Sequence, residues 1–265
     1  MKVFNKKSEI WFAVVWIIIY VVGSSMADNI SSIIGVEKSV TLFWNIVLTV
    51  ILYSFVKKNE LQNYYGLCGI KYSAKKYLYY IPLIILASVN LWSGVKVNYS
   101  LIETVCYIGS MLLVGFLEEV IFRGFLFKAM SKNNVRTAII VSSITFGIGH
   151  IVNLFNGSGT DIFSNFCQVC YAIVIGFLFV TLFHRGKSLW PCIITHSILN
   201  ALSVFANETG SKQYQVFVAM ILCAISIGYS LILMKTMPAS EEWQIPFCWY
   251  VPKNRRVDLD INTVS

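Results

Sequence analysis

Apolar residues in this chain gather in long blocks and do not alternate. Eight such blocks run near 10–27, 41–56, 77–93, 103–130, 137–155, 165–184, 188–206 and 215–234, separated by short polar stretches. Crossing the hydrocarbon core of a bilayer takes about 17–25 residues of helix. Only helices and closed barrels satisfy their backbone groups there, and blocks without a two-residue period point to helices. The pattern predicts an all-α, polytopic integral membrane protein with eight transmembrane helices, built as one membrane domain over 1–265 with a polar tail at 235–265. The second and third blocks are short. The stretch 59–76 mixes Tyr64, Tyr65, Leu67 and Ile70 with Lys71, Lys75 and Lys76, the pattern of a segment lying at the cytoplasmic interface.

Composition agrees with a lipid solvent. Hydrophobic residues make up 57% of the 265 and charged residues 13%, with a mean hydropathy of +0.68. An ordinary soluble domain carries about 25% charged residues. The net charge of +8 invites a nucleic-acid reading, but the basic residues sit in clusters between apolar blocks, not in one stripe. No nucleic-acid partner is expected. With the N-terminus cytoplasmic, 18 of the 21 Lys and Arg fall on the inner side, and only Lys38, Lys96 and Lys212 fall outside. Such alternation predicts a multi-pass protein of the cell membrane with both termini cytoplasmic. The first block has a basic start and small residues at Ser24–Ala27, as a signal peptide would. Seven further blocks favour an uncleaved first helix. The seven cysteines show no framework spacing, and Cys167 and Cys170, a C-x-x-C inside an apolar block, are expected as a packing pair.

Charged groups inside apolar spans are costly and mark functional positions. The fourth block holds Glu118, Glu119 and Arg123, the fifth His150, and the seventh His196 with Asn200. His184 sits beside Arg185 at a block end and reads as interfacial. Residues four apart share a helical face, so Glu119 lies over Arg123, while Glu118 points about 100° away toward the face of Phe122. One carboxylate is then neutralised and the other is left available as a general base. A purely structural ion cluster is the bland alternative. Phe146 and His150 share a face, as do His196 and Asn200. Counted from Lys132, Arg136 and Lys187, Glu118 lies 14 residues in, His150 14, Asn200 13 and His196 9. That is roughly 13–21 Å deep at about 1.5 Å per residue, near the middle of a core about 30 Å thick.

These residues resemble the CAAX-protease and bacteriocin-processing (CPBP, or Abi) family of intramembrane endopeptidases, of the type II CAAX prenyl endopeptidase kind. Its E-E-x-x-x-R motif appears as Glu118-Glu119-Val120-Ile121-Phe122-Arg123, its F-x-x-x-H motif as Phe146 to His150, and its H-x-x-x-N motif as His196 to Asn200. The resemblance covers about 103–203. It implies an eight-span helical fold with a cavity open toward the cytosolic leaflet. It also implies that Glu118 and His150 activate a water, that His196 and Asn200 stabilise the oxyanion, and that Glu119, Arg123 and Phe146 support the site. Members are often named metalloproteases, but there is no H-E-x-x-H. Glu118, His150 and His196 could ligate zinc only if they converged at about 2.0–2.2 Å from it. A Glu/His mechanism needs no ion, so metal-independent hydrolysis is the expectation. The implied substrate is a membrane-associated peptide, either prenylated or leader-bearing, as in bacteriocin or signalling-peptide maturation. A non-catalytic bacteriocin-immunity protein and a transporter with a proton pathway are the competing readings; the absence of internal repeats speaks against the latter.

Overall fold

The computed structural model describes residues 6–155, 160–207 and 211–237. Its elements are α1 (Lys6–Ile34), α2 (Ser39–Lys58), a short α3 (Ile81–Ala87), α4 (Leu101–Glu118), α5 (Lys128–Ser131), α6 (Val135–Gly149), α7 (Ile162–Gly186), α8 (Trp190–Leu202) and α9 (Lys212–Thr236). A π-helical stretch, Glu119–Phe127, joins α4 to α5 in one continuous rod. Among the described residues there is no strand, only one isolated bridge between Val95 and Ala206. The chain is an all-α, multi-pass membrane protein. Of the expected tail at 235–265, the part from 238 onward lies outside the described residues.

Among the described residues, six helices are long and apolar enough to cross a membrane: Glu9–Ile34, Ser39–Lys58, Leu101–Ser131, Val135–Leu154, Ile162–Gly186 and Lys212–Thr236. Two of the eight expected spans are shorter. The seventh is α8 with a 3₁₀ turn, Trp190–Phe205. The third, 77–93, is broken: a 3₁₀ segment, Ala74–Tyr80, leads into the seven residues of α3, and a second 3₁₀ turn follows at Val89–Leu91. Leu78, Tyr79 and Tyr80 take left-handed backbone angles, with φ of 48°, 52° and 61°, and Pro82 starts the new helix. Periodicity in apolar residues carries no trace of such a break.

The starts of α4, α6, α7 and α9 are capped by side chains that satisfy orphan amides. Ser100 and Glu103 form a reciprocal capping box at α4, Asn134 accepts from the Thr137 amide at α6, and Asp161 accepts from Phe163 and Ser164 at α7. Outward faces are apolar: Trp11, Ile18 and Val22 on α1, Ile144 and Ile148 on α6, and Ile227 and Leu231 on α9 are exposed. Polar side chains point inward instead, among them Asn45 to Ser110 between α2 and α4. Such a surface suits hydrocarbon.

Contacts at the two ends order the bundle. At one end Lys132 pairs with Glu9, the Leu189 amide donates to the Gly66 carbonyl, and Arg185 donates to the Met237 carbonyl. At the other end Lys38 pairs with Asp28, the Glu37 amide meets Glu103, and the Lys96 amide donates to the Phe205 carbonyl. The two short segments therefore join the same ends as the long helices. The 59–76 stretch closes the first end: Tyr65 and Leu67 are buried under it, while Ile70, Lys71, Lys75 and Lys76 stay exposed. Close helix approach relies on small residues. A Cβ on Gly115 would fall 2.5 Å from the Ser197 amide nitrogen, and one on Gly147 would fall 2.7 Å from that of Ile173. These glycines let α8 lie on α4 and α7 lie on α6.

Candidate active site

The carboxylates come from the junction where α4 widens into the π-helix. Glu118 ends the α-helical part and Glu119 opens the π-helical one. Single π turns inside α-helices recur at functional positions. Glu119 and Arg123 are fully buried and paired at 3.0 Å between Oε1 and Nη1, as their four-residue spacing predicts. The guanidinium also lies over the Phe146 ring, 4.1 Å from its centroid, and Nη2 donates to the Gly176 carbonyl. The buried cation is thus held by a carboxylate, a carbonyl and an aromatic face, with Nε left without a partner among the described residues.

α8 brings His196 against both acids. Its Nδ1 lies 2.8 Å from Glu119 Oε1, and its Nε2 lies 3.5 Å from Glu118 Oε2. Because Glu119 is the carboxylate partner of Arg123, it accepts, so Nδ1 carries the proton given to it. The two acids leave the helix on separate faces, Glu119 toward Arg123 and Glu118 toward Tyr20. They diverge along α4, yet one imidazole reaches both, because its two nitrogens look in different directions. Glu119 is at once the counter-ion of Arg123 and the residue that orients His196.

Glu118, like Glu119, has one occupied oxygen and one buried oxygen without a donor among the described residues. Oε1 accepts from the Tyr20 hydroxyl at 2.7 Å. Oε2 is buried and has no hydrogen-bond donor among the described residues. An unmatched acceptor of this kind is costly and marks a place where another donor is expected. Tyr20, on α1, escaped the sequence reading. A tyrosine in an apolar block resembles packing, and the one available signal was that a buried hydroxyl needs a partner.

His150 caps the C-terminus of α6, where the helix tightens into the 3₁₀ turn His150–Leu154. Its Nδ1 is 3.2 Å from the Phe146 carbonyl, which only accepts, so this nitrogen donates and Nε2 is left as an acceptor. Asn165 of α7 holds the His150 carbonyl at 2.8 Å. The Phe146 ring stands between the imidazoles, with centroids 5.2 Å from that of His150 and 5.6 Å from that of His196. Asn200, one turn beyond His196 on α8, is half-buried, and its side chain makes no hydrogen bond to the described residues. His184 stands apart, half-buried against Phe127 at the end of α7.

The site is compact and largely closed, with side-chain exposure of 14% at Glu118 and 6% at His196. An open apolar cavity of about 230 Å³ lies elsewhere on α8, between Pro191, Ile194 and Ile198 and the Leu83 and Ala87 side of α3. No group of three or more His, Cys, Asp or Glu side chains among the described residues forms a metal-ligand set. Each imidazole gives its Nδ1 to an acceptor, His196 to Glu119 and His150 to the Phe146 carbonyl, so the two Nε2 atoms and Glu118 Oε2 are the donors a metal would take here.

Fold and site together describe a multi-pass helical membrane protein with a buried Glu–His–Arg cluster and a second histidine beside it. Residues 100–202 match the family model described as type II CAAX prenyl endopeptidase Rce1-like, the segment that carries all three motifs. Over 99 residues the chain is 31% identical to the "Putative membrane peptidase YdiL" of Bacillus subtilis (strain 168), a match covering 37% of this chain and 35% of that protein. The similarity thus spans about a third of the relative's length. No solved structure matches the chain.

Proposed function

We propose that this protein is an intramembrane endopeptidase in which Glu118 activates a water for attack on a peptide bond. The observation that carries the reading is the oxygen Glu118 Oε2. It is buried, unmatched by a donor, and faces His196 Nε2, while the neighbouring acid is neutralised by Arg123. The match of residues 100–202 to a prenyl endopeptidase family supports the same reading.

The reaction follows from these positions. Glu118 Oε2 takes a proton from water, with His150 Nε2 as a second acceptor, and the water oxygen forms a bond to the scissile carbonyl carbon. The carbonyl π pair moves onto oxygen, where an N–H of His196 Nε2 and the Asn200 amide would donate to it. Since His196 Nδ1 already donates to Glu119, that role needs a second proton on Nε2, and the ring then lies between the Glu119 carboxylate and the developing oxyanion. Collapse breaks the C–N bond, and the proton held by Glu118 passes to the leaving amine. No step requires a metal. The substrate is a membrane-associated peptide, prenylated or leader-bearing, reached from within the bilayer.

The test is peptidomics on cells carrying the wild type or Glu118→Ala at matched membrane levels. Peptides shortened only in the wild-type sample support the reading and name the substrate. Identical peptide sets, with both proteins folded, overturn it.

A further inference from the structure

We propose that Tyr20 is a positioning residue for Glu118, so that α1, outside the 100–202 segment, completes the catalytic site. The inference rests on the endopeptidase reading and deepens it.

The contact is built by packing. Phe12, Trp16 and Tyr20 are spaced four apart and form one stripe on α1. Phe12 and Trp16 both rest on Phe125, with ring centroids 5.0 and 6.2 Å apart, and Phe55 joins them 5.2 Å from Phe12. This aromatic cluster docks α1 against the π-helical stretch. One turn further along α1, Tyr20 comes level with Glu118, seven residues back from Phe125 in the opposite chain direction. Tyr20 is 6% exposed, so its hydroxyl cannot turn to bulk water. At 2.7 Å the bond to Oε1 is short, as expected for a hydroxyl on a carboxylate.

The consequence concerns orientation. A glutamate side chain has three rotatable bonds, and its terminal torsion is broad. Tyr20 fixes one oxygen, and the bond fixes the plane of the carboxylate. Oε2 is thereby held toward His196 and kept free of other donors. A phenylalanine would fill the same space without setting that plane. The hydroxyl therefore serves the chemical step and not substrate capture.

The experiment uses the full-length protein in lipid nanodiscs and the variant Tyr20→Phe. The Glu118 carboxylate band is read by infrared difference spectroscopy against Glu118→Gln, with and without the Tyr20 hydroxyl. Kinetics are read on a cleaved peptide. The expected result is a shifted Glu118 band, kcat lowered about tenfold with KM unchanged, a displaced acidic limb of the pH profile, and a slightly lowered thermal midpoint because Oε1 loses its donor. An unshifted band overturns the proposal whatever the activity. A shifted band with wild-type kcat and pH profile also overturns it, because the bond then serves structure alone. If the wild type cleaves nothing, the endopeptidase reading fails, and the positioning role for a catalytic step falls with it. The spectrum still decides whether Tyr20 holds the carboxylate.

Discussion

His196 Nδ1 lies 2.8 Å from Glu119 Oε1, the same oxygen that takes Arg123 Nη1 at 3.0 Å. One carboxylate oxygen thus serves as counter-ion to a buried guanidinium and as anchor for an imidazole on another helix. Both acids keep one buried oxygen without a donor among the described residues, and they differ in their partners: Glu119 is fully buried and paired with Arg123, whereas Glu118 is partly exposed and held by Tyr20.

That difference separates two variants. Glu119→Ala leaves a fully buried Arg123 uncompensated, a loss of about 3–5 kcal/mol by analogy with other broken buried pairs. Glu118→Gln keeps the Tyr20 contact with an amide oxygen and should cost little. Thermal unfolding of the purified variants should place Glu119→Ala well below Glu118→Gln. The reverse order would contradict the assignment.

His196→Ala and His150→Ala should each lower cleavage by about 10²–10⁴-fold while the proteins still reach the membrane. Single-turnover assays on a cleaved peptide give the comparison. Near-normal rates for either variant would remove that histidine from the mechanism.

Gly115 sets the distance between α4 and α8. Gly115→Ala puts a Cβ against the Ser197 backbone, so α8 must move, taking His196 with it. Overpacking of this kind costs about 1–3 kcal/mol. Activity and thermal midpoint should fall together. Gly228→Ala on α9, where a Cβ meets nothing within 4 Å, should change neither.

Metal independence can be tested without reference to any variant. Elemental analysis of the purified protein should find zinc well below one per chain, and cleavage should persist in chelator. One zinc per chain, with activity lost in chelator and restored by zinc, would replace the water-activation scheme.

The fold class and the Glu119–Arg123 pair were legible because both depend on local spacing. An apolar block reports a helix, and residues four apart in this helix share a face. The meeting of Glu118 and His196 was legible only as a common depth, since lateral packing leaves no periodic trace. Tyr20 was hidden for the same reason: its partner lies 98 residues away, and a tyrosine in an apolar run reads as bulk. The break at Leu78–Tyr80 and the π-helical stretch were also out of reach. Each is a backbone conformation that the spacing of apolar residues does not report, although Pro82 marks where the new helix starts.

The most direct test follows the attacking water. Purified wild type and Glu118→Gln, in nanodiscs, are incubated with membrane-anchored peptides, prenylated and unmodified, in ¹⁸O-labelled water, and the products are read by mass spectrometry. The account predicts new C-termini carrying one ¹⁸O with the wild type and none above background with Glu118→Gln. Equal labelled cleavage by both proteins would contradict it.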